Sequence, residues 1–336
     1  MNTKKVRFGV VGTNFITDWV IAGGQEDQRF ELTAVCSRSE ETARQFAAKY
    51  NIPYTFTSLE AMAESPLIDA VYIASPNALH AEQSILCLQR GKHVLCEKAF
   101  ASNAVEVRQM IETAQNNQVV LMEAMKPTLT PGFLAVQKAM SQIGAVRQYF
   151  SCYCQYSSRY DKLKEGIVLN AFNPALSNGA VMDIGVYTIY PMVVLFGRPQ
   201  TIRAAGVKLF SGTDGHGNVC FTYENGMTAT VLYSKIANSQ LPTEIQGEDG
   251  IITLDRINII SEATLTPRNG QRERILPEID HNEYYYEIAE FIDLIQSGRK
   301  ESGNNSLENS LITMEIMDEV RRQLGVVFPA DLQERP

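Results

Sequence analysis

The chain has 336 residues, too long for one ordinary hydrophobic core, so length alone points to two domains. With 45% hydrophobic and 20% charged residues, it has the balance of a soluble globular protein, not a disordered one. A formal charge of -8 offers no basic footprint for nucleic acid, and no apolar run is expected to reach the ~20 residues of a membrane helix.

The start, MNTKK, leads straight into strand-like sequence with no apolar signal-peptide core. Up to residue 125, short β-rich runs alternate with helical patterns. The runs are 6–12, 31–37, 54–56, 69–75, 92–98 and 118–124. Several are apolar throughout, as expected when helices cover both faces of a sheet. Ser37-Arg38-Ser39-Glu40 and Thr57-Ser58-Leu59-Glu60 fit the capping box that opens a helix. Six strands and five helices in this alternation predict a parallel, doubly wound sheet of order 3-2-1-4-5-6.

After 125 the pattern changes. Two prolines and a glycine in 126–133 read as a connection to a second domain. Hairpin signals then recur at Glu224-Asn225-Gly226, Glu248-Asp249-Gly250 and Arg268-Asn269-Gly270. They predict an open antiparallel sheet, with one apolar helix over 179–197 and two closing helices near 283–297 and 306–324. The expected division is 1–125 and 126–336, the closing helices over 283–324 being able to pack back on the first domain. The six cysteines lie in apolar runs without a paired C-x-x-C, so they read as reduced, buried thiols of a cytoplasmic protein. Cys152 and Cys154 would share one face of a strand, the wrong pattern for zinc, and no metal site is expected.

Candidate chemistry gathers at the carboxyl ends of the parallel strands, where ligands of such sheets bind. Gly9-Val10-Val11-Gly12-Thr13-Asn14-Phe15-Ile16 closes the first strand; a glycine turn at a helix N-terminus can cradle a pyrophosphate, or be only a tight turn. The second strand ends in Cys36-Ser37-Arg38, where an acid would grip the ribose of NAD. A serine and a guanidinium suit a 2′-phosphate instead, which favours NADP(H) and leaves NAD(H) possible. Alternatively Ser37 is a helix cap and Arg38 a solvated loop residue. Ser75-Pro76-Asn77 follows the fourth strand, and His80 begins the next helix, a position where a histidine is more often structural. The fifth strand ends in Glu97-Lys98; a lysine in a partly desolvated crevice can pass protons near neutral pH. In the second domain, Asp183 and Tyr187 share a face of an apolar helix and call for partners, such as a lysine across a domain junction. The alternative is a buried cap and a core phenol.

Together, "GVVGTNFI", "ASPNALH", "GKHVLCEKAFASN" and "NPALSNGAVMDIGVY" resemble the Gfo/Idh/MocA oxidoreductases over nearly the whole chain. The third resembles the family's Glu-Lys-Pro motif, and the last its Asp-x-x-x-His/Tyr motif. The resemblance implies a Rossmann domain, an α+β domain with a large open antiparallel sheet, and NAD(P)-linked chemistry on a small alcohol or carbonyl, such as a sugar, polyol or cyclic diol. It assigns Lys98, Asp183 and Tyr187 to catalysis. It assigns Gly9, Gly12, Thr13, Asn14, Phe15, Ile16, Ser37, Arg38, Ser75, Pro76, Asn77, His80, Glu97 and Lys98 to the cofactor. It also implies a homodimer or homotetramer through the second sheet. A regulator without turnover and an NAD-assisted glycosidase are the alternatives.

Three positions depart from the family. Asn14 replaces a glycine, an exchange that a left-handed backbone tolerates. "EAMKPTLTP" (123–131) lacks the arginine and histidine of many sugar-oxidising relatives. Ala99 replaces the proline after the lysine. A cis bond costs about 2.5–4 kcal/mol before a residue other than proline, so a trans Lys98–Ala99 bond is expected.

Overall fold

The computed structural model describes residues 4–332, so the first three residues of the MNTKK start lie outside the described residues. Two compact units form. Among the described residues, one holds 4–126 together with Asp280–Ser310; the other holds Pro127–Ile279 and 311–332.

The first unit alternates β1 (Val6–Val11), α1 (Phe15–Gly24), β2 (Phe30–Cys36), α2 (Glu40–Tyr50), β3 (Tyr54–Phe56), α3 (Leu59–Glu64), β4 (Ala70–Ile73), α4 (His80–Gln89), β5 (His93–Glu97), α5 (Ala104–Asn116) and β6 (Leu121–Ala124). The strands pair in parallel in the order β3-β2-β1-β4-β5-β6. Every residue of β4 and β6 is buried, which is why β4 is apolar without alternation and β6 departs from that only at Glu123. Two helix starts differ from the sequence reading. Ser39, not Ser37, caps α2 by accepting from Thr42 N, and Ser58, not Thr57, caps α3 by accepting from Ala61 N. In both places two candidate caps precede the helix, and the extended backbone at Ser39 and Ser58 selects the later one.

The second unit contains α6 (Pro131–Ala139), β7 (Val146–Cys154), α7 (Tyr160–Lys164), α8 (Val186–Phe196), β8 (Thr201–Lys208), β9 (Asp214–Thr222), β10 (Thr228–Ser234), β11 (Thr243–Gly247), β12 (Gly250–Leu254), β13 (Ala263–Pro267) and β14 (Glu273–Arg274). Its sheet runs β14-β13-β12-β11-β7-β10-β9-β8. The three hairpin signals close β9–β10, β11–β12 and β13–β14, all antiparallel. The sheet is nevertheless mixed, because β7 and β10 pair in parallel at its centre. Hairpin residues report only on strands that follow one another, and these two do not.

Helix α8 is preceded by a π-helical turn, Val181–Gly185, and holds Pro191 inside it. Contrary to the expectation from sequence, the stretch Pro174–Phe196 is long and apolar enough to cross a membrane; 72% of its apolar window is buried inside the protein, as a core helix. Two further helices follow, α9 (Tyr285–Ser297) and α10 (Leu307–Leu324). The chain of the first unit packs α9 on α1. Gly23 permits the approach, since a Cβ there would lie 2.7 Å from the Tyr284 carbonyl carbon.

Candidate active site

In the first unit, the turn between β1 and α1 is shaped by Gly12. Its φ is +99°, and a Cβ there would lie 2.6 Å from the Ala74 carbonyl oxygen, so only glycine fits. Gly9 has a different job. It lies within β1, where a Cβ would meet Met62 Sδ at 2.9 Å, and serves packing under α3. Asn14 does not use a left-handed backbone; its φ is -91° and it caps α1. Its Oδ1 accepts from Ile16 N (3.0 Å), while its Nδ2 donates to Ala74 O (2.9 Å), tying the first turn to the end of β4. Thr13 and Ile16 are half-buried. Phe15 is exposed and meets exposed Trp19 edge-on at 5.0 Å, an aromatic pair beside the helix N-terminus.

At the end of β2 stands Ser37, half-buried and released from capping by Ser39, followed by exposed Arg38. No acid occupies either position. A helix N-terminus, a glycine-only turn and a guanidinium at the neighbouring strand end therefore fit a phosphorylated dinucleotide.

Past β4, Ser75 Oγ donates to Gln83 Oε1 (2.7 Å), Pro76 is half-buried, and Asn77 is buried in the short turn before α4. His80 has no exposed surface. Its Nδ1 lies 2.9 Å from Ala99 O and its Nε2 lies 2.8 Å from Ser75 O. Burial lowers its pKa, and it braces the loop after β4 against the loop after β5.

That second loop carries Lys98. Residues 94–97 and 99–104 are all buried, and Lys98 alone among them keeps an exposed part. The Lys98–Ala99 bond is cis, not trans as the missing proline led us to expect. The expectation rested on local preference alone, whereas Ala99 is fully buried with its carbonyl facing His80. Behind the lysine, Tyr72 donates its hydroxyl to Glu97 Oε1 (2.6 Å), and both are buried. Burial pushes the Glu97 carboxyl up, against the pull of Tyr72 and Lys98. It also pushes Glu123 up to about 8, and raises Glu287 on α9 well above the usual range.

In the second unit, Asp183 and Tyr187 are the only residues of 180–190 that are not buried. They are the two positions that the sequence placed on one face. Tyr187 meets the ring of Tyr153 from β7 edge-on, with centroids 5.8 Å apart. Within this unit Asp183 Oδ2 is ion-paired with Lys235 Nζ, from the residue just past β10. Lys235 is buried; its ammonium also lies 3.4 Å from Ala171 O and 5.1 Å from the centre of the Phe172 ring. Asp214, fully buried at the start of β9, accepts from Ala180 N (3.0 Å) and Val181 N (2.8 Å). An acid from another strand thus caps the helix that presents Asp183 and Tyr187.

Sequence reading missed Lys235, Asp214 and Trp19. The signal for Lys235 was present, since "TATVLYSK" ends an interior strand in a lysine just as "HVLCEK" does. Asp214 left no local signal, because it acts on a helix more than thirty residues earlier.

The geometry agrees with the comparisons. Residues 6–125 match the description "Oxidoreductase family, NAD-binding Rossmann fold", and residues 135–253 match "GFO/IDH/MocA C-terminal domain". The chain is 51% identical to scyllo-inositol 2-dehydrogenase (NADP(+)) of Bacillus subtilis, over 97% of this chain and 99% of that one. It is 27% identical to trans-1,2-dihydrobenzene-1,2-diol dehydrogenase of Mus musculus, over 97% and 99%. Two solved structures share the fold. A 3-ketoreductase from Actinomadura kijaniata, in complex with TDP-benzene and NADP, has a TM-score of 0.79 at 22% identity, covering 95% of this chain and 97% of that one. An aldose-aldose oxidoreductase from Caulobacter crescentus, complexed with glycerol, has a TM-score of 0.85 at 19% identity, covering 96% and 98%. With a glycine-shaped turn and a helix N-terminus at its first strand tip, and both family descriptions matched in sequence, the chain belongs to the Gfo/Idh/MocA family and is an NAD(P)-dependent oxidoreductase.

Proposed function

We propose that this protein is an NADP(H)-preferring dehydrogenase of a cyclic polyol, of the inositol class, or of a closely related diol. The observation that carries the reading is Ser37-Arg38 at the end of β2, a hydroxyl and an exposed guanidinium where NAD enzymes place an acid. The 51% identity to an NADP(+)-linked scyllo-inositol dehydrogenase over nearly the full length supports the substrate class.

When bound, the nicotinamide supplies the hydride acceptor at its C4. In the oxidative direction the substrate carbon loses hydride while its hydroxyl loses a proton, leaving a carbonyl. Lys98 and Tyr187 hold and remove that proton. Asp183, already the counter-ion of Lys235, orients the substrate and keeps its own role electrostatic. Gly12, Asn14 and the α1 N-terminus would hold the pyrophosphate, and Thr13, Phe15, Ile16, Ser75, Pro76 and Asn77 would line the rest of the cofactor site. Glu97 and His80 act from within the fold, setting the two loops. The six free thiols support a reducing, cytoplasmic setting. The same reading includes a homodimer or homotetramer, which light scattering tests.

The experiment is a panel assay of NADP+ and NAD+ reduction with scyllo-inositol, myo-inositol and trans-dihydrobenzenediol, alongside cofactor titration of Arg38→Ala. We expect inositol turnover with NADP+. The variant should lose roughly 1.5–3 kcal/mol of NADP(H) affinity, the worth of a charge-assisted hydrogen bond, with NAD(H) unchanged. Equal affinity for both cofactors in the unmutated protein would overturn the cofactor assignment.

A further inference from the structure

Cys152 and Cys154 stand apart from the other cysteines and from the catalytic groups. Their Sγ atoms lie 3.7 Å apart on β7. Strand alternation fixes the face they share. Tyr149 donates to Thr188 O (3.1 Å) and Tyr153 packs on Tyr187, so the odd-numbered side chains face α8 and both cysteines face the other way. Cys152 is 8% exposed and Cys154 is half-buried, so the pair is reached from one side. Cys36, Cys87 and Cys96 are buried, while Cys220 is exposed with Thr230 Oγ1 as its sulfur's neighbour.

The spacing decides what this pair can bind. Two strand rises of about 3.3 Å put the Cα atoms about 6.6 Å apart. That is near the top of the ~4.4–6.8 Å range that a disulfide spans, so a direct S–S bond would have to contract the strand. A third atom between the sulfurs needs no contraction. Two bonds of about 2.3 Å at a tetrahedral angle hold sulfurs about 3.7–3.8 Å apart. Among the described residues no group of three His, Cys, Asp or Glu could hold a metal ion, so a four-coordinate zinc centre lacks ligands. What fits is a soft centre content with two thiolates. Within the pair the Cys152 thiol is drawn down, chiefly by its neighbour Cys154 and further by Ser239, while Cys154 is pushed up, so Cys152 is the more readily ionised sulfur.

We propose that Cys152 and Cys154 form a chelating dithiol site for a thiophilic centre of low coordination number, and that a trivalent organoarsenical is the class of ligand it takes. Binding forms two As–S bonds. The oxygen on arsenic leaves as water with the two thiol protons, and no oxidation state changes.

The test uses the full chain and phenylarsine oxide, followed by intact-mass measurement. We expect one adduct per chain that survives excess glutathione, a monothiol, and is removed by dithiothreitol. Cys152→Ser and Cys154→Ser should each weaken binding at least about 100-fold, the lower end of what linking two interactions provides. Cys220→Ser should leave it unchanged. If a serine variant fails to fold, peptide mapping of the unmutated protein decides instead, because the arsenical should protect Cys152 and Cys154 from iodoacetamide. Absence of a glutathione-resistant adduct, its persistence in both serine variants, or protection of other cysteines instead would each overturn the proposal.

Discussion

Lys98 and Lys235 arise from the same pattern in sequence, a lysine placed directly after an apolar strand, yet the two units use them in opposite ways. Lys98 keeps an exposed part while all its neighbours from 94 to 104 are buried. Behind it stand carboxyl groups that burial raises toward the neutral form. Lys235 is itself buried, closed in by the Asp183 carboxylate, the Ala171 carbonyl and the Phe172 ring. The first arrangement keeps part of the lysine exposed. The second consumes the ammonium in holding another residue. A lysine at a strand tip therefore marks a site, but only its surroundings say whether it performs the chemistry or positions what does.

The contrast can be broken most directly by Lys98→Met, which keeps bulk and removes the proton carrier. Turnover should fall by the ~100- to 10,000-fold that general acid–base groups contribute, with NADPH affinity within about tenfold and thermal stability little changed. Near-normal turnover would return Lys98 to a structural role.

The neutral acids behind Lys98 give the next largest effect. Glu123 is raised from 4.5 to about 8, so its contribution to stability is fully present below pH 4.5 and is lost as pH rises toward 8. At about 1.4 kcal/mol per unit, the loss is about 5 kcal/mol at most. Glu123→Gln should therefore unfold at a higher temperature than the parent at pH 8, with the gap closing by pH 4.5. Parallel pH–stability curves for the two proteins would show that Glu123 titrates normally.

For the second lysine the signature reverses. Lys235→Met should lower stability by about 2 kcal/mol, less than the 3–5 kcal/mol of a fully buried broken pair, because the Asp183 side chain keeps 36% of its exposure. Turnover should fall less than in Lys98→Met, cofactor affinity should hold, and Lys235→Arg should restore much of both losses. A variant with the activity loss of Lys98→Met and unchanged stability would place Lys235 among the reacting groups.

The smallest effect concerns the helix that Lys235 helps to set. Asp214→Asn keeps one acceptor for the Ala180 and Val181 amides but loses the charge, at a cost of about 1 kcal/mol, in the range of other helix caps. Chemical denaturation measures it, and KM should respond more than kcat if the helix mainly orients substrate.

Much of this molecule could be read from the chain. Apolar runs without alternation gave the parallel strands, because a strand covered on both faces must be apolar on both, and their alternation with helices gave the doubly wound order. Asn225-Gly226 and its counterparts gave the hairpins, because few residues accept the turn's backbone. Lys98, Asp183 and Tyr187 were legible as polar groups in apolar surroundings, and all three prove to be the partly exposed positions of their segments. Tertiary structure alone decided the rest. The parallel pairing of β7 with β10, the capping of one helix by Asp214 and the partnership of Lys235 with Asp183 each join residues far apart in sequence. Local propensity and spacing describe what a segment can do with its immediate neighbours. They carry no term for a contact made across thirty or fifty residues, and those contacts set which strand lies beside which and which charge stands beside the acid.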